Sequence, residues 1–174
     1  VNSSSNNIFL IGLMGAGKST VGKLLAKKLG RQFIDVDHVI EERCGVKIPL
    51  IFEMEGEAGF RKREAQALDH ASSGNDIVLA TGGGAVLLPD NRQLLSERGT
   101  VVYLHANPVE LWHRTKGSDN RPLLKNGDAR QILEELYALR DPLYREIANH
   151  IIETGEPSVN QLVHTLMMQL ELSQ

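Results

Sequence analysis

Eight residues near the start of the chain carry the clearest chemistry: Gly12-Leu13-Met14-Gly15-Ala16-Gly17-Lys18-Ser19. Three glycines free the backbone to turn successive N–H groups inward, where they can cradle the oxygens of a polyphosphate. An amphipathic helix opening near Lys18 would aim the positive end of its dipole at the same spot. In this pattern the lysine ammonium reaches the β and γ phosphates, and the serine hydroxyl ligates a magnesium ion. The residues expected around the phosphates are Gly15, Ala16, Gly17, Lys18, Ser19 and Thr20. The chemistry implied is phosphoryl transfer from a Mg2+-bound nucleoside triphosphate, and the loop alone leaves the acceptor open. A glycine-rich turn with a chance lysine is the alternative, and the flanking apolar strand and amphipathic helix argue against it.

Other residues must name the acceptor. Asp35 and Asp37 follow an apolar run. Residues two apart on an extended chain point the same way, so both carboxylates can face the phosphates. One can hold magnesium through water while the other orients or deprotonates a substrate hydroxyl. The competing reading is a helix cap by Asp37 with Asp35 as its solvated neighbour. Arg61 and Glu64, at i, i+3 spacing, either present a fixed guanidinium fork to an anion or form an ordinary exposed ion pair. Gly82-Gly83-Gly84 is either backbone that a ligand approaches closely or a flexible turn. Arg140 precedes Asp141-Pro142, where a helix is expected to kink or end, and can supply a second fork. Arg121 lies in the polar stretch 116–128, which reads as a surface loop, either functional or a plain linker. From there Arg121 can swing over the transferring phosphate.

These side chains need a frame that brings them together. Short apolar runs at 8–11, 33–36, 77–80, 101–104 and 151–152 read as buried parallel strands. Between them, Val21, Leu24, Leu25 and Leu29 repeat at helical spacing and stop at Gly30. Asn107 is placed to cap a helix with Pro108 first and Glu110 three residues after the cap. Pro49 reads as part of another helix's first turn. Strand and helix alternate, which predicts an α/β fold. Right-handed crossovers would build a parallel sheet with helices on both faces and ligands at the C-terminal ends of its strands.

Composition narrows the class further. The 174 residues, 41% hydrophobic, suit one domain spanning 1–174. A net charge of -3 with scattered Lys and Arg offers no footprint for nucleic acid or an anionic membrane. No apolar run approaches bilayer length and the first residues lack the regions of a signal peptide. Cys44 is the sole cysteine, so no intramolecular disulfide is expected, and a reducing cytoplasm fits.

Taken together, the phosphate loop, Asp35-Val36-Asp37, Phe60-Arg61 with Glu64, Gly82-Gly83-Gly84, Arg121-Pro122-Leu123-Leu124 and Arg140-Asp141-Pro142-Leu143-Tyr144 resemble the shikimate kinase family. The match is ordered and spaced over about residues 7–153, which makes it far more specific than any one motif. The resemblance implies a three-layer P-loop kinase fold like that of the nucleoside monophosphate kinases. It would have a five-stranded parallel sheet, a substrate-binding helical region near 37–65 and a mobile lid at 116–128. It further implies that ATP phosphorylates the 3-hydroxyl of shikimate, giving 3-phosphoshikimate and ADP on the route to chorismate and the aromatic amino acids. Site roles follow from the same resemblance: Asp37 binds the substrate hydroxyls and serves as base, Arg61 and Arg140 hold the carboxylate, and Gly82, Gly83 and Gly84 line the ring. Ser19 would ligate Mg2+ directly and Asp35 through water, while Lys18 and Arg121 neutralise the phosphoryl oxygens. Arg114 would flank the adenine. Phe52 and Phe60 fall where aromatic residues wall the pocket, with a core role as the alternative.

Two departures stand out. Pro49 occupies a place where many relatives carry a polar or small residue, and 154–158 has no basic residue where some relatives have an arginine. A monomer acting on small molecules is expected. The alternatives are a related kinase such as a gluconokinase, and a nucleotide-binding module that has lost catalysis. Against the latter, Lys18, Ser19, Asp35, Asp37 and Arg121 are all present.

Overall fold

The apolar runs become β1 (Ile8–Ile11), β2 (Gln32–Asp35), β3 (Ile77–Ala80), β4 (Thr100–His105) and β5 (His150–Glu153) in a computed structural model that describes residues 6–115 and 128–172. All pair in parallel in the order β2-β3-β1-β4-β5. Every residue of β1 and β3 is buried. Because successive side chains on a strand point to opposite faces, such burial means that both faces of the sheet are covered. The edge strands β2 and β5 are partly exposed, as edges must be.

Seven helices connect and cover these strands among the described residues: α1 (Lys18–Leu29), α2 (Val36–Cys44), α3 (Ile48–Ala71), α4 (Pro89–Arg98), α5 (Pro108–Thr115), α6 (Ala129–Ile147) and α7 (Val159–Leu172). None is long and apolar enough to cross a membrane. Helix α1 ends where expected, at a left-handed Gly30 whose N–H returns to the carbonyls of Ala26 and Lys27. Helix α5 opens on the expected Asn107 cap: Glu110 N–H donates to Asn107 Oδ1 (2.9 Å), and Asn107 Nδ2 donates to the Glu110 side chain at Oε1 (3.1 Å). Pro49 sits in the first turn of α3. The Ile48 N–H in that turn donates to Glu41 Oε2 of α2 (2.8 Å), fixing the two helices to each other. Gly56, at φ 71° and ψ -177°, breaks α3 into two segments.

Three expectations change. Val36 leaves the strand and starts α2, so Asp35, not Asp37, is the cap, accepting from the Asp37 N–H at 3.0 Å. The two aspartates are therefore not neighbours on an extended chain. Helix α6 neither ends nor stops short at Asp141-Pro142 but continues to Ile147. Pro142 lacks only the N–H that would have reached back one turn, a loss that packing of the helix on the sheet overrides. Of the polar stretch 116–128, only Asp128 is described, as the cap of α6 that accepts from the Arg130 N–H (3.0 Å). Arg121 and the rest of the expected lid lie outside the described residues.

Candidate active site

The segment between β1 and α1 turns as its glycines allow. Gly12, Gly15 and Gly17 have φ of 148°, 85° and 99°, a region costly for other residues. Space is also short. A β-carbon on Gly12 would fall 2.6 Å from the Leu104 carbonyl oxygen, and one on Gly15 would fall 2.6 Å from Thr115 Cγ2. Gly17 caps α1 without a side-chain acceptor, so the N–H groups of the first turn point toward the place an anion would take. Lys18 Nζ folds back over the loop to the carbonyls of Gly12 (2.5 Å) and Leu13 (3.1 Å). Ser19 Oγ donates to Asp35 Oδ2 (2.7 Å), which brings the hydroxyl of α1 to the end of β2. Ala16 is buried under the loop and Thr20 is exposed on the first turn of α1.

Beside this loop lies a cavity of about 480 Å³ whose lining includes Met14, Asp37, Glu41, Pro49, Phe52, Phe60, Arg61, Glu64, the three glycines and Arg140. Arg61 is not the exposed partner that its spacing allowed. Its Nη1 donates to Glu64 Oε1 at 2.9 Å, and the Glu64 side chain is only 1% exposed. A second carboxylate, Glu57 Oε1, accepts from Nη2 at 3.3 Å. Burial pushes the Glu64 carboxyl above the ordinary carboxylate range, opposed by the nearby cations Arg61, Arg140 and Lys18. Arg140 is 2% exposed, and burial pushes its guanidinium downward while Tyr144 opposes that shift.

The triple glycine follows β3 and is crowded by the side chains just named. A β-carbon on Gly82 would fall 2.7 Å from Glu64 Oε2 and 3.0 Å from Asp37 Oδ1, and one on Gly83 would fall 3.3 Å from Arg140 Nη1. On Gly84 it would run into the Arg61 guanidinium. None of the three has a positive φ. Glycine is required here by close approach rather than by flexibility, which sets aside the flexible-turn reading. Arg61 Nε, Glu64 Oε2 and Arg140 Nε are buried with no partner, an unusual concentration of unsatisfied polar atoms around one wall. The rings of Phe52 and Phe60 meet at 4.7 Å between centroids, and Arg61 lies 5.1 Å over the Phe60 ring. Both phenylalanines line the cavity and pack on the core, so the two readings of them coexist.

On the other side of the phosphate loop, Arg114 of α5 donates to the Gly15 carbonyl (3.1 Å), to Thr154 Oγ1 (3.2 Å) and to the Thr154 carbonyl (2.9 Å). Thr154 is itself held to the His105 carbonyl at the end of β4. Arg114 thus fastens the start of 154–158 to the phosphate loop without help from a basic residue in that stretch.

The structure brings Lys18, Ser19, Asp35, Asp37, Arg61, Gly82, Gly83, Gly84 and Arg140 to one region, with Arg114 at its far side. Sequence reading gave no role to Tyr144 or Glu41. For Tyr144 a signal existed: it is one turn beyond Arg140, on the same face of any helix that continues past Pro142. The expected helix break concealed it. For Glu41 there was none.

Known proteins resemble this chain over nearly its whole length. The family model described as shikimate kinase matches residues 14–171. A shikimate kinase of Ralstonia nicotianae is 57% identical over 98% of this chain and 90% of its own length. One from Burkholderia pseudomallei is 59% identical over 96% of this chain and 91% of its own. Among solved structures, the shikimate kinase from Acinetobacter baumannii in complex with shikimate superposes with a TM-score of 0.93 at 48% identity, covering 98% of this chain and 94% of that one. A gluconokinase from Sinorhizobium meliloti reaches a TM-score of 0.61 at 16% identity over 99% of both chains, a likeness of fold alone.

Proposed function

This chain belongs to the shikimate kinase family, and we propose the following roles for its residues in transferring the γ-phosphoryl group of ATP to the 3-hydroxyl of shikimate. The observation that carries the reading is the pair of guanidinium groups, Arg61 and Arg140, set against the triple-glycine wall of a cavity that also holds Asp37. A small hydroxy acid offers one carboxylate and several hydroxyls. Two planar forks can fix the carboxylate in orientation as well as charge, and Asp37 can then accept from a ring hydroxyl.

Asp37 orients the 3-hydroxyl and receives its proton as the oxygen attacks phosphorus. Gly82, Gly83 and Gly84 give the ring a backbone wall with no side chain in its way. Gly15, Ala16, Gly17 and Thr20 offer backbone N–H groups to the phosphates, and Lys18 shifts its ammonium from loop carbonyls to the transferring oxygens. The oxygen pair Ser19 Oγ and Asp35 Oδ2 suits Mg2+, which favours oxygen ligands and keeps several waters, with Ser19 in direct contact and Asp35 acting through water. Bound there, the ion would offset charge on the β and γ phosphates. Arg114 flanks the base, and Arg121, carried by the 116–128 stretch as a cover over the site, joins Lys18 in neutralising the phosphoryl oxygens. Residues 1–174 act as one domain and as a cytoplasmic monomer. The low net charge of -3 supports the absence of nucleic-acid and membrane partners.

A coupled assay of ADP release tests the reading. Turnover should require both shikimate and Mg2+, and strong activity on gluconate with none on shikimate would overturn it.

A further inference from the structure

Tyr144 holds two parts of the acceptor site at once. It lies in α6 one turn beyond Arg140, with its side chain wholly buried. Its hydroxyl donates to the Gly83 carbonyl at 2.5 Å, and the Arg140 guanidinium lies close to both: a β-carbon on Gly83 would fall 3.3 Å from Arg140 Nη1. A phenol has one hydrogen to give and lone pairs to receive. With the hydrogen committed to Gly83, an acceptor oxygen is what remains for Arg140. Burial pushes the phenol's titration upward, so the proton that makes this donor stays in place at neutral pH.

The ring is fixed as well. It packs on the Tyr103 ring with centroids 4.8 Å apart, a contact that does not involve the Tyr103 hydroxyl. The carboxylates Glu57 and Glu64 attract Arg140 through space. Its Nε is buried without a partner, and Arg61 is a second cation close enough to repel it.

We propose that Tyr144 is a positioning residue for the acceptor, fixing the Arg140 fork and the Gly83 backbone at one spacing so that shikimate's carboxylate and ring are held in register. The inference rests on reading Arg140 as a carboxylate-binding residue. Tyr144 does not line the cavity and acts through its two neighbours.

Tyr144→Phe removes the hydroxyl alone. The KM for shikimate should rise about tenfold, while kcat and the KM for ATP stay within about threefold. In an Arg140→Lys background, where the fork is gone, adding Tyr144→Phe should change the shikimate KM by less than about twofold. Tyr103→Phe removes a hydroxyl from a neighbouring buried ring outside the site and should leave the shikimate KM near that of the parent.

Any of these results would overturn the proposal: a shikimate KM within about twofold of the parent in Tyr144→Phe, equal rises in the KM of both substrates, or an undiminished effect in the Arg140→Lys background. An equal rise in Tyr103→Phe would do the same by showing a general packing effect. Should Tyr144→Phe give no folded protein, Tyr144→Met keeps much of the volume without the hydroxyl and is read by the same criteria. Failure of the parent to turn over shikimate would instead overturn the functional reading itself.

Discussion

Lys18 and Arg61 are both cations, and their surroundings suit the different roles proposed for them. Lys18 rests on two carbonyl oxygens of its own loop, a hold it can exchange for phosphoryl oxygens whose charge changes during transfer. Arg61 is clamped between Glu64 and Glu57 and keeps one orientation throughout, as suits a carboxylate that does not react. Lys18→Ala should therefore lower kcat by about 10²–10³-fold, the cost of one lost donor to developing charge. Arg61→Ala should chiefly raise the KM for shikimate, and it should also lower the melting temperature because Glu64 would be left buried without its partner. Steady-state kinetics with each substrate varied separates the two, and a reversed pattern would overturn the roles. Lys18 and Ser19 were legible in the sequence because their motif is local. Asp35 and Asp37 reach this region by a different route from the one their spacing suggested, since the cap at Asp35 brings them in by a helical turn and not an extended one. Tyr144 was missed because the expected break at Pro142 hid the face it shares with Arg140, and its partner Gly83 is 61 residues away along the chain.

At the scale of elements, the strands could be read because buried parallel strands are continuous apolar runs, and the boundary at β2 failed because Val36 is equally apolar in a strand or in the first turn of a helix. Likewise the break in α3 at Gly56 has no contact that sequence could reveal: nothing lies within 4 Å of a β-carbon placed there. The turn after β3 is the opposite case, where contacts decide everything. A methyl group on Gly84 must displace the Arg61 guanidinium, and Arg61 is tied to Glu64, so the disturbance spreads to the carboxylate-binding wall. Gly84→Ala should raise the shikimate KM at least about tenfold and destabilise the fold by about 1–3 kcal/mol, the range for overpacking a filled site. Gly74→Ala is the matched control, since a methyl group there would meet only Ile77 Cγ2, at an ordinary 3.9 Å. Kinetics and thermal melts of the pair check this, and equal effects at the two glycines would sink the argument.

The whole molecule assembles the acceptor cavity from the loop after β1, from α2 and α3, from the turn after β3 and from α6. Folding must therefore bring two cations, Arg61 and Arg140, into a buried space where each opposes the other's charge. Glu64 offsets part of this, but burial also disfavours its own charged form. An acceptor carboxylate would complete the balance and satisfy buried nitrogens that now lack partners. Shikimate alone, without nucleotide, should then stabilise the protein as any ligand of the native state does, by about 2.7 kcal/mol at one hundred times its dissociation constant. For a chain of this length that corresponds to a rise in melting temperature of about 5–10 °C. Gluconate carries a carboxylate too but has no ring to lie on the glycine wall, so at the same concentration it should shift the melt much less. Differential scanning fluorimetry with each acid measures both shifts. An unmoved melt in saturating shikimate would mean that the guanidinium pair is satisfied from within, and that the cavity does not bind an acid before the nucleotide arrives.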